Sequence, residues 1–361
     1  MKSYLKHYKI KLKTLAPVFV GSGKEINKNE YIFDSDKIYV SDERKLMNII
    51  IKKNLTAQFI ESMNMKSFNL KMWLDENGIT DYKSLSAYTL LGVENIDDKH
   101  SLKGIQACIK NAYNEPYIPG SSLKGALRTV ILWNIVYDNI DKLEDIKHEL
   151  MANVRMKSGK EIKKICAAAN TRLEKRFFNK KIDEVDMSIM RGLIVGDSKP
   201  VSLDDIVLCE KIDISADGTK KKPNILRECI RPNTEIEFDL TIDSGIFNYD
   251  ATDIDDMLKN YAADYFDIIT SMFPNGNDDE NAMFIGGGSG YFSKTVAYSL
   301  FDKDDAVDFV KNYLAKTTPR EHMHIKDREI SPHMQKCTRC GGKIYEMGKC
   351  RIEIEEICVE K

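Results

Sequence analysis

Two spacings of apolar residues run along the chain, and each predicts a different kind of element. Residues 8–20 alternate Ile10 and Leu12 with lysines and then become continuously apolar, which predicts a strand that runs into a buried segment. Residues 234–243 and 350–360 alternate in the same way. Because alternation places one face of a strand in the core, both are predicted to be half-buried strands.

Apolar residues that recur every three to four positions predict amphipathic helices. These stretches lie at about 44–75, 123–140, 161–178, 254–273 and 304–314. Ser121 and Ser122 stand just before the second stretch and are predicted to cap it. Lys124 and Arg128 are four residues apart and therefore share one face near the start of that helix.

The order of the predicted elements is strand, helix, two or more strands, helix and strand, with the apolar run 296–301 as the last core strand. This order is the ferredoxin-like plan on which RRM domains are built. We therefore predict an α+β fold with an RRM-like core in residues 1–300 and helical insertions near 41–115 and 140–190. Residues 301–361 are predicted to be a C-terminal extension, with a degenerate second RRM-like unit as the alternative.

Residues 201–230 contain two strand-like runs that flank an Asp-Gly pair at 217–218. Asp-Gly between such runs is a strong signal for a β-hairpin. The tip also carries Lys220, Lys221 and Lys222, so the pattern predicts a protruding β-finger with a basic end. A run of lysines is also typical of a loop that faces only solvent.

Composition limits the classes of protein to which the chain can belong. It has 361 residues, of which 42% are hydrophobic and 30% charged, values typical of a soluble globular protein. No run approaches the roughly 18 apolar residues of a membrane-spanning helix. The start of the chain does not resemble a signal peptide and the eight cysteines are widely spread, so we expect a cytoplasmic protein with reduced thiols and no membrane partner. Because the net charge is only −2, binding to nucleic acid would depend on local basic patches.

Three segments rich in glycine and serine recur at the predicted element ends: 21–23, 120–122 and 286–290. Glycine lets backbone N–H groups approach phosphates closely, and a helix N-terminus adds its positive dipole. Lys24 and Lys294 lie within four residues of the first and third segments. Together the segments predict a cradle for a phosphate backbone, although each alone is also typical of a tight turn. None of them fits the GxxxxGK[ST] loop, so an NTP site is not expected.

One segment carries a specific resemblance. Residues 116–128, PYIPGSSLKGALR, resemble the signature of the RAMP superfamily of RRM-like CRISPR RNA-binding proteins. Residues 17–23 are similar to the end of the first strand in that family, and residues 286–295 resemble its glycine-rich loop before the last core strand. The form of that loop and residues 345–350 are most similar to the subunit that caps the backbone filament of a type III-A Csm complex.

The resemblance implies a non-catalytic guide-RNA-binding subunit of a type III-A CRISPR ribonucleoprotein. Such a subunit caps the filament at the 3′ end of the guide RNA (crRNA) and is needed for crRNA maturation and antiviral defence. The implied partners are crRNA, target RNA and the other Csm subunits, with host nucleases as a further candidate. The predicted RNA-binding residues are Gly21, Ser22, Gly23, Lys24, Ser121, Ser122, Lys124, Arg128, Lys220, Lys221, Lys222, Gly286, Gly287, Gly288, Ser289, Gly290 and Lys294.

Catalysis is the main alternative, because backbone subunits of the RAMP superfamily cleave target RNA with a loop aspartate and a divalent metal. Here the loop after the first predicted strand, at 21–25, contains no aspartate. Asp34 and Asp36 follow it, but their apolar neighbours favour a turn between strands. We therefore expect no catalytic residue. A metal-dependent endoribonuclease of the same fold is the second hypothesis, and a scaffold that binds only proteins is the third.

Histidines offer another route to RNA cleavage, since a histidine can act as a general base near neutral pH. The candidates are His7, at the start of the first strand, and His322, His324 and His333 in the tail. None lies in a glycine-rich segment, so we expect these histidines to face solvent.

The tail also gathers Cys337, Cys340, Cys350 and Cys358, which with His333 could supply zinc ligands. Cys337 and Cys340 have the CxxC spacing of a zinc knuckle. The other two cysteines are separated by a predicted strand of seven residues, roughly 25 Å of extended chain. We expect no cofactor and no metal, and the sequence leaves zinc at these cysteines open.

Overall fold

A computed structural model describes residues 4–65, 68–96, 104–182 and 185–357. Within these ranges seventeen strands, β1 to β17, span Leu5–Thr14, Gly21–Ile26, Tyr31–Asp34, Lys37–Ser41, Ser86–Leu90, Ile105–Cys108, Asn179–Ile182, Val185–Ser188, Leu193–Val195, Ile206–Ser215, Lys220–Lys221, Leu226–Ile230, Glu235–Asp243, Ala282–Phe284, Met334–Cys340, Lys343–Glu346 and Lys349–Glu356. Ten α-helices in the same ranges, α1 to α10, span Glu43–Lys52, Thr56–Met63, Leu70–Glu76, Tyr82–Leu85, Gly120–Asp138, Glu144–Met156, Gly159–Phe178, Ala251–Ile268, Ala297–Leu300 and Lys303–Thr317. The fold is mixed α and β.

The central sheet has the strand order β14-β17-β1-β13-β9, and each neighbouring pair is antiparallel. The alternation predicted for β1 and β13 is confirmed, because Ile10 and its partner Phe238 are buried on the same face. In β17, the other neighbour of β1, Ile354 lies opposite Ile10. Alternate apolar residues of the central strands therefore line one side of the main core.

Helices α5 and α8 pack together in this core. The ring of Trp133 on α5 meets the ring of Tyr261 edge-on, with 5.4 Å between their centroids. The indole nitrogen of Trp133 donates to the Asp264 carboxylate at 3.0 Å, which satisfies its single donor. Predicted periodicity and structure agree for both helices.

A second sheet has the order β16-β15-β10-β12-β6-β2, and β11 pairs with β10. β10 and β12 form the hairpin that the Asp-Gly pair predicts. β15 pairs along the distal half of β10, with Ile212 opposite Cys337, and both residues are buried. The stem of the hairpin is therefore a central part of the sheet rather than a protruding finger, and Lys220–Lys221 stays exposed at its end.

Two helical regions lie outside these sheets. Helices α1 to α4 enclose a separate small core, where Phe59 and Trp73 meet with 4.9 Å between ring centroids. Strands β3, β4 and β5 form a three-stranded sheet beside them. Helices α6 and α7 pack on each other and on α10. No helix in the described ranges has the length and hydropathy required to cross a membrane.

The end of the chain belongs to both large sheets. β17 pairs with β1, and β15 pairs with β10, so the division at residue 300 does not match a break in the sheets. The apolar run 296–301, predicted as the last core strand, instead contains the short helix α9. β14 precedes the glycine-rich loop rather than following it, and β17 takes the place beside β1. Long-range pairing decided these positions, and it leaves no local pattern in the sequence.

Candidate nucleic-acid interface

Three segments that are distant in the sequence meet through backbone hydrogen bonds. The Gly287 N–H donates to the Phe19 carbonyl at 2.7 Å, and the Gly348 N–H donates to the Pro17 carbonyl at 3.0 Å. The Ile285 N–H in turn donates to the Gly348 carbonyl at 2.9 Å. Backbone hydrogen bonds therefore join the segments near residues 17–19, 285–287 and 348 into one unit.

The glycine-rich loop 286–290 depends on close approach to this unit. Gly286 has φ +85°, and a Cβ there would lie 2.2 Å from the Phe19 carbonyl oxygen. Only glycine combines this backbone conformation with such a contact. Ser289 is buried, and its hydroxyl donates to the Gly286 carbonyl at 3.3 Å. That predicted RNA-binding side chain therefore braces the loop from inside.

Arg227, on β12, lies beside the loop. Its guanidinium carbon is 5.4 Å from the centroid of the Phe19 ring, and its Nε donates to the Gln106 amide oxygen at 2.9 Å. Burial lowers the pKa of Arg227, which remains protonated because an arginine pKa lies far above neutrality. A Cβ on Gly288 would lie 2.6 Å from Nη1, so the guanidinium packs directly against the loop.

Two lysines extend this positive region. Burial and the charge of Arg227 lower the pKa of Lys294, which follows the loop in the turn Phe292–Lys294. Lys336 packs its stem against Gly290 and pairs with Asp213 at 3.1 Å. The sequence pattern does not single out Arg227 or Lys336, because each is a lone basic residue away from any glycine-serine segment. Only their packing against the loop identifies them.

Helix α5, which begins at Gly120, contacts the turn that carries Lys294. Gly120 is required there, because a Cβ would lie 2.3 Å from the Val195 carbonyl oxygen. The predicted serine caps are wrong: α5 begins at Gly120 with no side-chain cap from Ser121 or Ser122. The Gly120 N–H donates instead to the Asp197 carboxylate at 2.8 Å. The Asp197 carboxylate, which lies just after β9, therefore accepts from one of the free N–H groups at the N-terminus of α5.

Lys124 and Arg128 on α5 differ in their surroundings. Arg128 pairs with Glu174 of α7 at 2.5 Å and lies 5.5 Å from the centroid of the Phe178 ring. Burial lowers the pKa of Lys124, and within the part of the chain that the structure describes no ion pair neutralises it. Of the two predicted contacts, Lys124 is thus the one with an uncompensated charge.

The prediction of a loop at 21–24 is wrong. This segment forms the start of β2, the edge strand beside β6, and the register of this pair shifts between Gly21 and Glu25. The Ser22 hydroxyl donates to the Ala107 carbonyl at 3.1 Å, and Lys24 is exposed. Gly23 has φ +80° and open space around its Cα. Gly21 packs against the ring of Phe19, which also contacts the loop 286–290, so the segment lies beside that loop.

The end of the β10–β12 hairpin forms a separate basic region. Lys220 and Lys221 are exposed. Burial and the charge of Arg339 lower the pKa of Lys222. The Asp217 carboxylate accepts from the Ser215 hydroxyl and from the Thr219 N–H, and these bonds lower its pKa to about 2. The turn is therefore fixed locally while its lysines face outward.

The carboxylates considered for catalysis lie elsewhere. Asp34 ends β3 and pairs with Lys71 of α3 at 3.3 Å, within the small three-stranded sheet. Asp36 follows in the turn between β3 and β4. Both have the turn setting that their neighbours predict.

The tail histidines do not all face solvent. His7 contacts the Thr241 hydroxyl at 3.0 Å on the central sheet. His324 is buried and His333 half-buried, and both contact Asp327. The expectation of solvent-facing histidines is therefore wrong for these two.

The cysteines considered for zinc are divided between two sheets. Cys337 and Cys340 lie on β15, while Cys350 lies on β17. Burial raises the pKa of each thiol, that of Cys340 to about 11. Cys358 lies outside the described residues.

Comparison with known proteins gives consistent results. Residues 11–293 match the family model of the RAMP superfamily. A Streptococcus thermophilus protein named "CRISPR system Cms protein Csm5" is 27% identical, with 99% of each chain covered. A Mycobacterium tuberculosis protein of the same name is 26% identical, with 98% of this chain and 99% of the relative covered.

A solved chain shares the fold. It comes from the "Cryo-EM structure of Csm-crRNA-target RNA ternary complex in type III-A CRISPR-Cas system", with a TM-score of 0.64 and 18% identity. The match covers 96% of this chain and 100% of that chain. At this identity the similarity is one of architecture.

Proposed function

Because the chain belongs to the RAMP superfamily, we propose that it is a non-catalytic subunit of a type III-A CRISPR ribonucleoprotein and binds the crRNA. The observation that carries the proposal is the packing of Arg227 against the glycine-rich loop 286–290, with the partly buried Lys294 close enough for the charge of Arg227 to act on it. Such a surface holds phosphates by charge and close backbone approach, and it needs no contact with base edges.

The partners follow from the similarity to proteins named Csm5 and to a chain solved with crRNA and target RNA. We assign crRNA, target RNA and other Csm subunits as partners. In this assembly the chain caps the backbone filament at the crRNA 3′ end and is needed for crRNA maturation and antiviral defence. Host nucleases are the candidate trimming enzymes. The described cysteines are free thiols, which suits assembly in the cytoplasm.

An RRM-like core is the architecture we assign to the RNA-binding unit. β17, β1, β13 and β9 stand side by side in the 4-1-3-2 order of a ferredoxin-like sheet, and all neighbours are antiparallel. α5 precedes β9 and α8 follows β13 in the chain, as that plan requires. In this assignment the tail supplies the fourth strand to a core within 1–300, and the regions near 41–115 and 140–190 are insertions.

Within the predicted RNA-binding set, we assign the main role to Lys124, Lys294 and the loop 286–290. Residues 21–24 border this surface through Phe19. The exposed Lys220–Lys221 pair is a second region, suited to assembly contacts. Arg128 acts through its ion pair with Glu174, which holds α5 against α7.

A binding role without cleavage is supported by where the carboxylates lie. Metal-assisted cleavage needs carboxylates that hold a metal beside the scissile phosphate. Asp34 is instead paired with Lys71 in the small sheet. The segment 21–25, which the resemblance to the family matches to the cleavage loop of backbone subunits, lies in the edge strand β2 and contains no aspartate.

A salt-titration experiment tests the binding proposal. Affinity for single-stranded RNA is measured by fluorescence anisotropy across a KCl series for the wild type, Arg227→Gln and Lys294→Gln. Each lost phosphate contact should lower the log–log slope by roughly 0.7. Lys259→Gln is the control, because Lys259 is exposed on α8 and pairs only with Asp255 and Asp256 in the described residues. Equal slopes for all four proteins would refute the assigned surface.

A cleavage assay separates this proposal from the endoribonuclease alternative. The purified chain is incubated with labelled RNA with and without Mg²⁺. We expect intact RNA in both conditions. If the wild type cleaves RNA and Asp34→Ala or Asp36→Ala abolishes the cleavage, the protein is a metal-dependent endoribonuclease rather than a binding subunit.

A further inference from the structure

Three polar side chains converge between α10 and β15, in a segment that the RNA-binding surface does not use. The Nδ1 atom of His324 lies 3.1 Å from Oδ2 of Asp327. The Nδ1 atom of His333 lies 2.6 Å from Oδ1 of the same carboxylate. His324 and Asp327 are buried, whereas His333 is 30% exposed and leaves a route from solvent.

The three residues have the spacing of a metal site. One potential ligand atom from each residue lies within 4.8 Å of those of the other two. Among the described residues, this is the group of at least three His, Cys, Asp or Glu side chains that meets this distance condition. Ligands about 2.0–2.2 Å from a tetrahedral Zn²⁺ stand roughly 3.3 Å apart. To accommodate an ion, the contact of His324 with Asp327 would lengthen by about 0.2 Å and that of His333 with Asp327 by about 0.7 Å.

Hydrogen bonds hold the Asp327 carboxylate in a fixed direction. The Ser331 hydroxyl donates to Oδ2 at 2.7 Å, and the Tyr298 hydroxyl donates to the Ser331 carbonyl at 2.7 Å. Outer partners of this kind orient metal ligands and raise metal affinity.

We propose that His324, Asp327 and His333 bind a divalent first-row transition metal, with Zn²⁺ as the ion and water in the fourth position. Two imidazoles and one carboxylate suit Zn²⁺, which imposes no geometry of its own. The ring of His322 lies nearby, with its centroid 5.8 Å from that of His324. This assignment departs from the expectation of no metal in the sequence analysis and uses none of the tail cysteines.

A metal here would stabilise a segment with little regular structure. Arg320–His322 and His324–Lys326 are single 3₁₀ turns, joined by Met323 at φ +52°, a conformation that is uncommon for a side chain other than glycine. The ion would join these turns to His333, which immediately precedes β15. Because β15 carries Lys336, the ion would also steady one side of the RNA-binding surface, a consequence that rests on the proposed function.

The wild-type protein provides the first test. After removal of metal with EDTA, the full chain is titrated with Co²⁺, and the visible d–d absorption of the ion is recorded. We expect one tightly bound Co²⁺ per chain, displaced by one Zn²⁺, without the near-ultraviolet charge-transfer band of a cobalt thiolate. A thiolate band would assign the metal to cysteines and overturn the proposal, as would the absence of saturable binding at micromolar Co²⁺.

Variants locate the site. His333→Gln should weaken Zn²⁺ binding at least tenfold, and metal analysis of the purified protein should find it largely empty. His148→Gln, at an exposed position of α6, and Cys340→Ser should retain one ion per chain. Circular dichroism of the metal-free proteins confirms that His333→Gln is folded. Full zinc content in His333→Gln would refute the assignment.

RNA affinity measured in EDTA separates the two proposals. Binding that survives metal removal, together with an intact Co²⁺ spectrum in the metal-loaded protein, supports both. A wild-type protein that binds RNA but shows no saturable Co²⁺ absorption refutes only the metal site. Normal Co²⁺ binding in a protein without RNA affinity refutes only the proposed function.

Discussion

The guanidinium of Arg227 lies over the ring of Phe19, with its carbon 5.4 Å from the ring centroid. The ring also contacts the glycine-rich loop, since a Cβ on Gly287 would lie 3.1 Å from Phe19 Cδ1. A cation over an aromatic face gains about 0.5–2 kcal/mol, depending on how far water is excluded. Phe19 therefore fixes both the direction of the guanidinium and the position of the loop.

Phe19→Leu should weaken RNA binding about two- to fivefold, because Arg227 loses its stacking surface. The exchange keeps most of the apolar volume, so the loss of stability should stay within roughly 1.5 kcal/mol. Phe59→Leu, at an equally buried ring on α2, is the matched control. It should lower the melting temperature similarly and leave the dissociation constant for RNA unchanged. Equal RNA affinity in both variants would contradict a role for Phe19.

Gly286→Ala should destabilise the protein strongly, since its Cβ would overlap the Phe19 carbonyl and its φ of +85° disfavours a side chain. Gly23→Ala has a similar φ of +80° but open space, so it should cost only about 1 kcal/mol. Thermal melts of the two variants isolate the contact from the backbone conformation. Equal shifts in melting temperature would mean that the contact with Phe19 contributes nothing.

Lys124→Ala and Arg128→Ala should separate RNA contact from structural support. Lys124→Ala should reduce the salt slope of RNA binding by roughly 0.7 with little change in stability. Arg128→Ala should leave the slope unchanged and cost up to about 1 kcal/mol, because the half-exposed pair with Glu174 is screened by solvent. The reverse pattern would assign the RNA contact to Arg128.

Glu346 should make stability depend on pH. Burial raises its pKa to about 7 from the ordinary 4.5, although Lys349 and a hydrogen bond from Tyr265 act in the opposite direction. Between pH 4.5 and 7 the unfolded chain releases this proton while the folded chain retains it. The contribution of this residue to stability is therefore fully retained below pH 4.5 and falls as the pH rises to 7, by roughly 3 kcal/mol.

Glu346→Gln removes this titration, so urea denaturation should show the variant gaining stability over the wild type as the pH increases from 4.5 to 8. Glu355→Gln is the control, because Glu355 is exposed on β17 and pairs with Lys11. Its stability profile should remain parallel to that of the wild type over this range. A constant difference between Glu346→Gln and the wild type would show that the residue ionises normally.

The hairpin end should act in assembly. Lys220→Gln combined with Lys221→Gln should leave the melting temperature unchanged, since both side chains are exposed. Incorporation into the ribonucleoprotein should decrease, with guide RNAs more heterogeneous at their 3′ ends. Lys163→Gln with Lys164→Gln, an exposed pair on α7, is the control. Complexes with normal guides from the hairpin variant would show that these lysines face only solvent.

Elements with local signals are correctly predicted from the amino-acid sequence. The alternation around Ile10 placed β1, and the apolar period around Leu127 placed α5. The Asp-Gly pair placed the turn after β10. The sequence also shows the glycine segments at 120 and 286–290. Where two stretches of backbone approach so closely that a side chain would collide, the chain must have glycine.

Which of these segments meet depends on long-range packing. Phe19, Arg227 and Gly287 come from three strands or loops, and no spacing in the chain predicts their contact. The same is true of Arg128 with Glu174 and of β17 beside β1. Periodicity reports which face of an element is buried, whereas its partner is chosen by burial and strand pairing over the whole chain. The local pattern therefore gives the parts of the proposed RNA-binding surface, and long-range packing brings their charges together.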